Sequence, residues 1–240
     1  MKWSDDTGAA DGSGRQTLAD TAYQQLEHQI ITLAFLPGDV ISESRVVARL
    51  GLGRTPVREA LLRLRYARLI EPGQGRSHVV TPLDFAESLQ INEVARLLDR
   101  LMVERAVAQR SALEAKRFEA LAEAFPAAAA SHDVDAYLQA HSTLNRLIGE
   151  SARQPVAARS MAPLIALSRR LAVVHVKLNG TALTEFAPAH ARLARSVAEG
   201  DGPAATSALD SVLDRWVEII ESLAATAAVR DVTALLRAAR

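Results

Sequence analysis

The sequence contains no cysteine. That excludes disulfides, thiolate zinc sites, iron–sulfur clusters and a cysteine nucleophile, and it fits a reducing compartment. Aromatic residues are scarce, at 4%. Lysine is nearly missing, with 3 Lys against 25 Arg. No apolar run reaches the roughly 18 residues of a membrane span. The opening segment, Met1 to Gln16, lacks the basic-then-apolar order of a signal peptide and reads as a polar tail. Net charge is also absent, with 28 basic and 28 acidic residues. These absences lead us to expect a cytoplasmic protein with no membrane partner.

Alanine dominates what remains, at 45 of 240 residues. Alanine is the best helix former, and strands favour the aromatic and β-branched types. The chain should therefore be mainly α. Its length suits one large or two modest domains.

Residues 17–81 read differently from the rest. Leu18, Ala22, Leu26 and Ile30 recur at helical spacing over Thr17–Ala34, and Phe35-Leu36-Pro37-Gly38 ends that helix in a turn. Val40-Ile41 is a short extended stretch. Ser42 is placed to cap a helix over Glu43–Leu50 that stops at Gly51. Thr55, followed by Pro56, is placed to cap the next helix, which runs to about Ala67. Leu69-Ile70-Glu71 and His78-Val79-Val80-Thr81 flank the turn Pro72-Gly73-Gln74-Gly75 as a hairpin. Helix, helix, turn, helix, hairpin is the order of a winged helix-turn-helix.

Beyond Thr81-Pro82-Leu83 only helices are expected, packed as an antiparallel bundle. Asp84 with Glu87 predicts a capping box. Predicted spans are 84–110, 114–130, 133–151, 155–178, 183–199 and 203–227, with a short helix near 231–238. Gly180 and Gly200 mark stops. Pro126 and Pro163 should kink or split their helices. Val94, Leu97, Leu98, Leu101 and Ala108 share one face of the first bundle helix. The expected division is a tail over 1–16, the winged domain over 17–81, the helical domain over 82–232 and a C-terminal tail over 233–240.

Charge separates the two regions. Residues 43–76 hold eight arginines, Arg45 and Arg76 among them, against three glutamates, a net of +5. Residues 83–240 are nearly neutral. A positive patch on one small domain is the footprint of phosphate binding. In a helix-turn-helix the second helix enters the major groove N-terminus first, and here that end carries Arg54, Thr55 and Arg58. Arginine forks onto guanine O6 and N7. Gly75-Arg76 at the hairpin tip is placed for the minor groove or for phosphates. The plainer reading takes these arginines as solvated surface charge and the tip as simple turn chemistry.

The run Leu50-Gly51-Leu52-Gly53-Arg54-Thr55-Pro56-Val57-Arg58-Glu59-Ala60-Leu61 resembles the signature of the GntR superfamily. Leu36-Pro37-Gly38-Asp39 upstream is similar to it as well. Two positions depart: Gly53 stands where Ser or Thr is usual, and Arg68 replaces a common glycine. The resemblance implies that Arg54 and Arg58 read bases, Thr55 holds phosphate and Gly75 opens the wing tip. It implies a dimer on an inverted-repeat operator in double-stranded DNA, acting as a repressor.

The helical remainder resembles the FCD domain of the FadR subfamily, which binds small carboxylic acids, often through a divalent metal such as zinc or nickel. His190, followed by Glu199-Gly200-Asp201, carries the local likeness. The family's Asp and three His fall here on His141, Asn145, His190 and Val212. Three readings stay open: a metal-free pocket with His141, Asn145 and His190 as hydrogen-bonding groups, a metal site rebuilt with His175 or another group, or histidines satisfied in a core. Arg96 stands where the family has a carboxylate-binding Arg, and Asp99 where it has Glu; pairing of Arg96 with Asp99 within the helix is the alternative. Lys177 and Asn179 lie near a helix end, within reach of a pocket. His28, His78 and His132 read as surface residues.

An enzyme is the main rival class, yet H-E-x-x-H, G-x-S-x-G, G-x-x-x-x-G-K-[ST] and a strand-to-helix G-x-G-x-x-G are all missing. A helical interaction module without a small ligand is the other. A polar cavity in the bundle separates it from a ligand-responsive regulator.

Overall fold

A computed structural model describes residues 17–179 and 182–238. The expected N-terminal tail, the stop at Gly180 and the last two residues of the chain lie outside the described residues.

Helix α1 (Leu18–Ile31) opens the N-terminal head. The Thr17 hydroxyl accepts from the Asp20 amide, and the Asp20 carboxylate accepts from the Thr17 amide. This reciprocal box satisfies two donors that the helix itself leaves open. Ala22, Leu26 and Ile30 are buried, as their spacing requires, while Leu18 is exposed and Ala19 takes the inward place. Next come β1 (Val40–Ser42), α2 (Glu43–Leu50) and α3 (Arg54–Tyr66), then β2 (Ile70–Pro72) and β3 (Ser77–Val80). The sheet has the order β1-β3-β2 and is antiparallel, with Ile41 opposite His78 and Glu71 opposite Val79. The Val40-Ile41 stretch is thus the third strand of the wing. Ile30, Ile41, Leu61, Leu64, Leu69 and Ile70 fill the space between sheet and helices.

Two expected caps differ. Ser42 precedes α2, but its hydroxyl pairs with the Ser44 hydroxyl at 2.8 Å and caps nothing. Helix α3 begins at Arg54 with Gly53 as its N-cap, so Thr55 and Pro56 already lie inside its first turn. Proline is tolerated there because first-turn amides have no acceptor within the helix. Arg68 has φ of 58°. That left-handed backbone is one that glycine adopts without strain.

The bundle comprises α4 (Phe85–Gln109), α5 (Ala112–Ala130), α6 (Val134–Ala152), α7 (Pro155–Asn179), α8 (Ala182–Glu199) and α9 (Gly202–Val229). These agree with the predicted spans to within about two residues, the ordinary uncertainty of helix ends. Helix α5 lies along α8, and α9 lies along both α4 and α8. Asp84, Ser111, Asp133 and Asp201 each accept a first-turn amide. The box expected at Asp84 is only half formed, because Glu87 pairs with Arg68 instead. Helices α5 and α7 run unbroken through Pro126 and Pro163, so the expected split does not occur. Gly200 has φ of 84°, and a Cβ there would meet the Arg110 guanidinium. The turn thus needs glycine for its backbone, and a larger residue would also push the Arg110 guanidinium aside.

The short helix expected near 231–238 is α10 (Val232–Ala238), which occupies most of the segment assigned as a C-terminal tail over 233–240. Val232 and Leu236 are buried, and Arg237 reaches Asp39 of the head at 3.4 Å. A second link between head and bundle is Arg170 on α7. Its guanidinium is buried and donates to the carbonyls of Thr81 and Pro82.

Candidate functional site

Two surfaces bear chemistry: the outer face of the head and a cavity inside the bundle. On the head, Arg45, Arg54, Thr55 and Arg58 are exposed, the last three on the first turns of α3. Among the described residues no side chain caps that end, so its amides stay open to an anion, where the helix dipole favours negative charge. Arg58 Nε donates to both oxygens of Glu43 at 2.9 and 3.0 Å. This holds the Glu43 carboxyl below its ordinary range, and the fields of Arg76 and Arg54 add to the effect. Glu43 therefore marks a point that the recognition helix and the wing both face. Gly75, with φ of 64°, makes the tight turn of the wing, and Arg76 is exposed beside it. The sequence reading missed Glu43 as the counter-ion of Arg58. His28 and His132 are exposed as expected, whereas His78 is half-buried in β3 with its Nδ1 enclosed and unpartnered.

The cavity occupies about 120 Å³ among α4, α6, α7, α8 and α9. His141, Asn145, His190 and Val212 all line it, so the four positions matched to the family's ligand set do converge. His190 is buried, and its ring stacks on Phe125 at 5.0 Å. Its Nδ1 lies 2.9 Å from the Tyr137 hydroxyl and 3.2 Å from the Phe186 carbonyl. A carbonyl only accepts, so the tautomer that satisfies it carries the proton on Nδ1. Burial pushes the His190 imidazole down to about 4. His141 meets His190 edge-on at 5.2 Å, and Asn145 Nδ2 lies 3.3 Å from His141 Nδ1. Some of the His141 surface faces the cavity, yet the surrounding atoms strip its ring of solvent and drive it well below the ordinary range. Both rings are neutral at pH 7.

Further polar groups line the cavity, Asn92, Asp99, Ser168 and Arg169 among them. Burial pushes the Asp99 carboxyl up to about 7. Burial likewise lowers Arg169, and Glu27 and Tyr23 oppose that. The Arg169-Arg170 doublet in an otherwise apolar stretch of α7 was the signal in the sequence for a buried arginine.

Arg96 is not among the lining residues. It pairs with Asp210 at 3.3 Å and Asp214 at 2.6 Å, on the face where α4 meets α9. Neither the expected cavity role nor the alternative pairing with Asp99 is what its geometry displays. His175 also lies outside the cavity lining, with Asn179 at 2.8 Å and Glu185 at 3.6 Å. Lys177 and Asn179 do not reach the cavity lining either.

The family's metal can be tested against these donors. The matched positions offer two imidazoles, one amide and the aliphatic Val212. Among the described residues no group of three or more His, Asp or Glu is arranged to hold an ion. A divalent site of this kind needs three or four donors, with carboxylate or imidazole in each place. The residues do not fit the metal, and the rebuilt site with His175 is not assembled.

A winged helix-turn-helix with a basic leading end, joined to a helical bundle around a mainly apolar cavity that carries a few polar groups, defines the class of DNA-binding transcriptional regulators. Residues 18–80 match the family described as bacterial regulatory proteins, gntR family, and residues 90–215 match the FCD domain. The chain belongs to the GntR family and carries an FCD domain. Among similar proteins, the HTH-type transcriptional regulator Mce2R of Mycobacterium tuberculosis is 36% identical over 87 residues, covering 36% of this chain and 35% of its own length. An HTH-type regulator in an unstable DNA locus of Streptomyces ambofaciens is 37% identical over 62 residues, 26% of each chain. The chain thus aligns with about a third or less of these relatives' lengths. Similar solved structures include E. coli McbR/YncC, with a TM-score of 0.77 at 19% identity over 86% of this chain and 98% of that one. A putative GntR regulator from Rhodococcus sp. RHA1 has a TM-score of 0.64 at 20% identity over 85% and 97%. These two likenesses concern the fold. Among the described residues no helix is long and apolar enough to cross a membrane.

Proposed function

We propose that this regulator is a repressor of the FadR subfamily, released from DNA by a small organic acid that enters the bundle cavity without a metal. The carrying observation is the convergence of His141, Asn145, His190 and Arg169 on one cavity whose donor set does not suit a metal. The Asn145 amide, the Arg169 guanidinium and the remaining N–H of a neutral His141 can donate to a carboxylate, whereas His190, its proton held on Nδ1 by the Phe186 carbonyl, shapes the wall, and a cavity of this size takes a molecule on the order of benzene. Arg54, Arg58 and Thr55, with Arg45, Gly75 and Arg76 beside them, form the DNA-binding surface. Residues 17–81 do the reading and residues 82–232 bind the effector.

The chain acts as a homodimer on an inverted repeat, since paired heads read two half-sites. Supporting this, Val94, Leu97 and Leu101 are exposed along one face of α4, Leu97 at 74%. Apolar stripes of that kind mark association surfaces. The test selects a duplex with this protein from a random pool, then measures its affinity by fluorescence anisotropy with and without butyrate and benzoate. The expected result is a palindromic duplex bound by two chains and weakened by one of the acids. A duplex without symmetry, or an affinity that neither acid alters, sinks this reading. Leu97→Glu should give monomers in light scattering.

A further inference from the structure

Arg169 belongs to two places at once. It lines the bundle cavity, and its Nη1 lies 3.9 Å from Oε2 of Glu27, on α1 of the head. Both side chains are mostly buried, at 13% and 19% exposure. At 3.9 Å this is a loose ion pair, and Arg169 Nε has no hydrogen-bond partner among the described residues. A buried guanidinium so poorly satisfied is costly and readily takes a better acceptor. Glu27, by contrast, has a second partner: the Tyr23 hydroxyl donates to its Oε1 at 2.5 Å. The Tyr23 ring carries the Arg63 guanidinium 4.5 Å from its centre. Arg63 sits on α3, the helix that leads into DNA, and pairs with Asp20 of α1 at 2.7 Å. One unbroken chain of contacts therefore runs from the cavity through Arg169, Glu27 and Tyr23 to the recognition helix.

We propose that Arg169 is the anion-binding residue of the cavity and that a bound carboxylate competes with Glu27 for it, loosening the head from the bundle. This rests on the reading of the cavity as an acid-binding site and adds how occupancy reaches the DNA. A ligand shifts an equilibrium only by its differential affinity for the two states. Here the difference is explicit: with the Arg169–Glu27 pair formed, the ligand must displace a carboxylate, and with the pair broken it need not. The charge balance of the cavity favours a monoanion. At about pH 6 the Asp99 carboxyl is largely protonated, because burial pushes it up to about 7. His141 and His190 are neutral there. Arg169 is then the single formal charge among the lining residues.

Trp216 lines the same cavity and reports on it. The full-length chain with Trp3→Phe would be titrated at pH 6 with butyrate and benzoate, and with butyramide and benzamide as neutral controls. Fluorescence follows ligand binding, and anisotropy of the selected duplex follows DNA affinity. At least one acid should quench Trp216, and its amide should bind about tenfold or more weakly. Glu27→Gln, which keeps side-chain shape, should tighten acid binding by about fivefold, at the low end of ordinary coupling factors. It should also hold duplex affinity at the level that the parent chain reaches only with acid, with no further response to acid. Arg169→Met should lose acid binding at least tenfold. If it fails to fold, Glu27→Gln alone decides. Acid affinity and acid response unchanged in Glu27→Gln overturn the competition while leaving the acid site standing. Amides that bind as well as acids overturn the anion requirement. Absence of quenching in both the parent chain and Glu27→Gln overturns the acid site, and this inference with it.

Discussion

Head and bundle use arginine in opposite ways. In the bundle, arginines are mostly tied to carboxylates: Arg96 and Arg100 to Asp210, Arg153 to Glu114, Arg195 to Glu123, Arg215 to Glu185. On the outer face of the head, Arg54, Arg45 and Arg76 stand exposed, and Arg58 is held by one glutamate. A chain of zero net charge can therefore still offer a strongly positive face, because neutralisation is local. Arg169 departs from that pattern, a buried cation whose loose carboxylate partner lies on the other domain.

The comparison breaks most readily at the recognition helix. Arg54→Ala and Arg58→Ala should each cost about 1–3 kcal/mol of discrimination, or roughly 5- to 150-fold for the selected duplex against a scrambled one. Melting of either variant should match the parent chain. Glu43→Gln, which frees Arg58, should move affinity the other way. If Arg54→Ala binds as the parent does, the base-reading assignment fails.

The next effect sharpens the contrast from the bundle side. Below about pH 4 folded and unfolded chains both hold the Asp99 proton. Above that the unfolded carboxyl ionises, while the folded one resists until about 7. Asp99 thus removes stability as pH rises through this window. Asp99→Asn should raise Tm by about 5 °C or more at pH 8 and leave it unchanged at pH 4, with duplex affinity unaltered. His190 has the opposite sense. The unfolded ring takes a proton near 6.5, and the buried one not until about 4, so stability is lost as pH falls through that range. His190→Gln should flatten the acid limb of a Tm-against-pH curve.

A smaller effect belongs to the junction. Arg68→Gly relieves left-handed strain of about 1–2 kcal/mol but gives up the surface pair with Glu87, worth about 0–1 kcal/mol. A net rise of about 1–2 °C in a calorimetric scan is expected. The smallest is a zero: zinc or nickel added to stripped protein should leave Tm unmoved, since the cavity lacks the donors. A shift of several degrees would mean that His141 and His190 recruit a ligand from elsewhere.

The head was legible because its signals are local. Arg54-Thr55-Pro56, the Gly51 stop and the hairpin around Gly75 each act within a few residues, and the elements form where the pattern puts them, with the start of α3 moved from Thr55 back to Gly53. Even the departure at Arg68 was visible, though only its φ gave the reason. The bundle cavity was half legible. Residues one helical turn apart, His141 and Asn145, reveal a shared face, and His190 falls beside them in the fold. Arg96 did not, because its partners Asp210 and Asp214 lie more than a hundred residues away and outcompete the cavity for it. The pairing of Glu27 with Arg169 was illegible for the same reason: nothing in either helix alone reveals that the two helices touch.

Arg170, next to Arg169 in α7, has a mechanical meaning. Adjacent positions on a helix point about 100° apart, so the two guanidiniums grip different parts of the head. Arg170 clasps the backbone at Thr81 and Pro82, where the chain passes from one domain to the other. The passage is thereby an axle fixed to the bundle rather than a slack tether. In the proposed competition, letting go of Glu27 would leave this axle in place, with the Arg237–Asp39 and Arg68–Glu87 pairs beside it, so the head would turn about the passage rather than come away. The lever arm from Thr81 to the tip of α3 then sets how far a small loss of grip inside the bundle swings the leading end of the recognition helix.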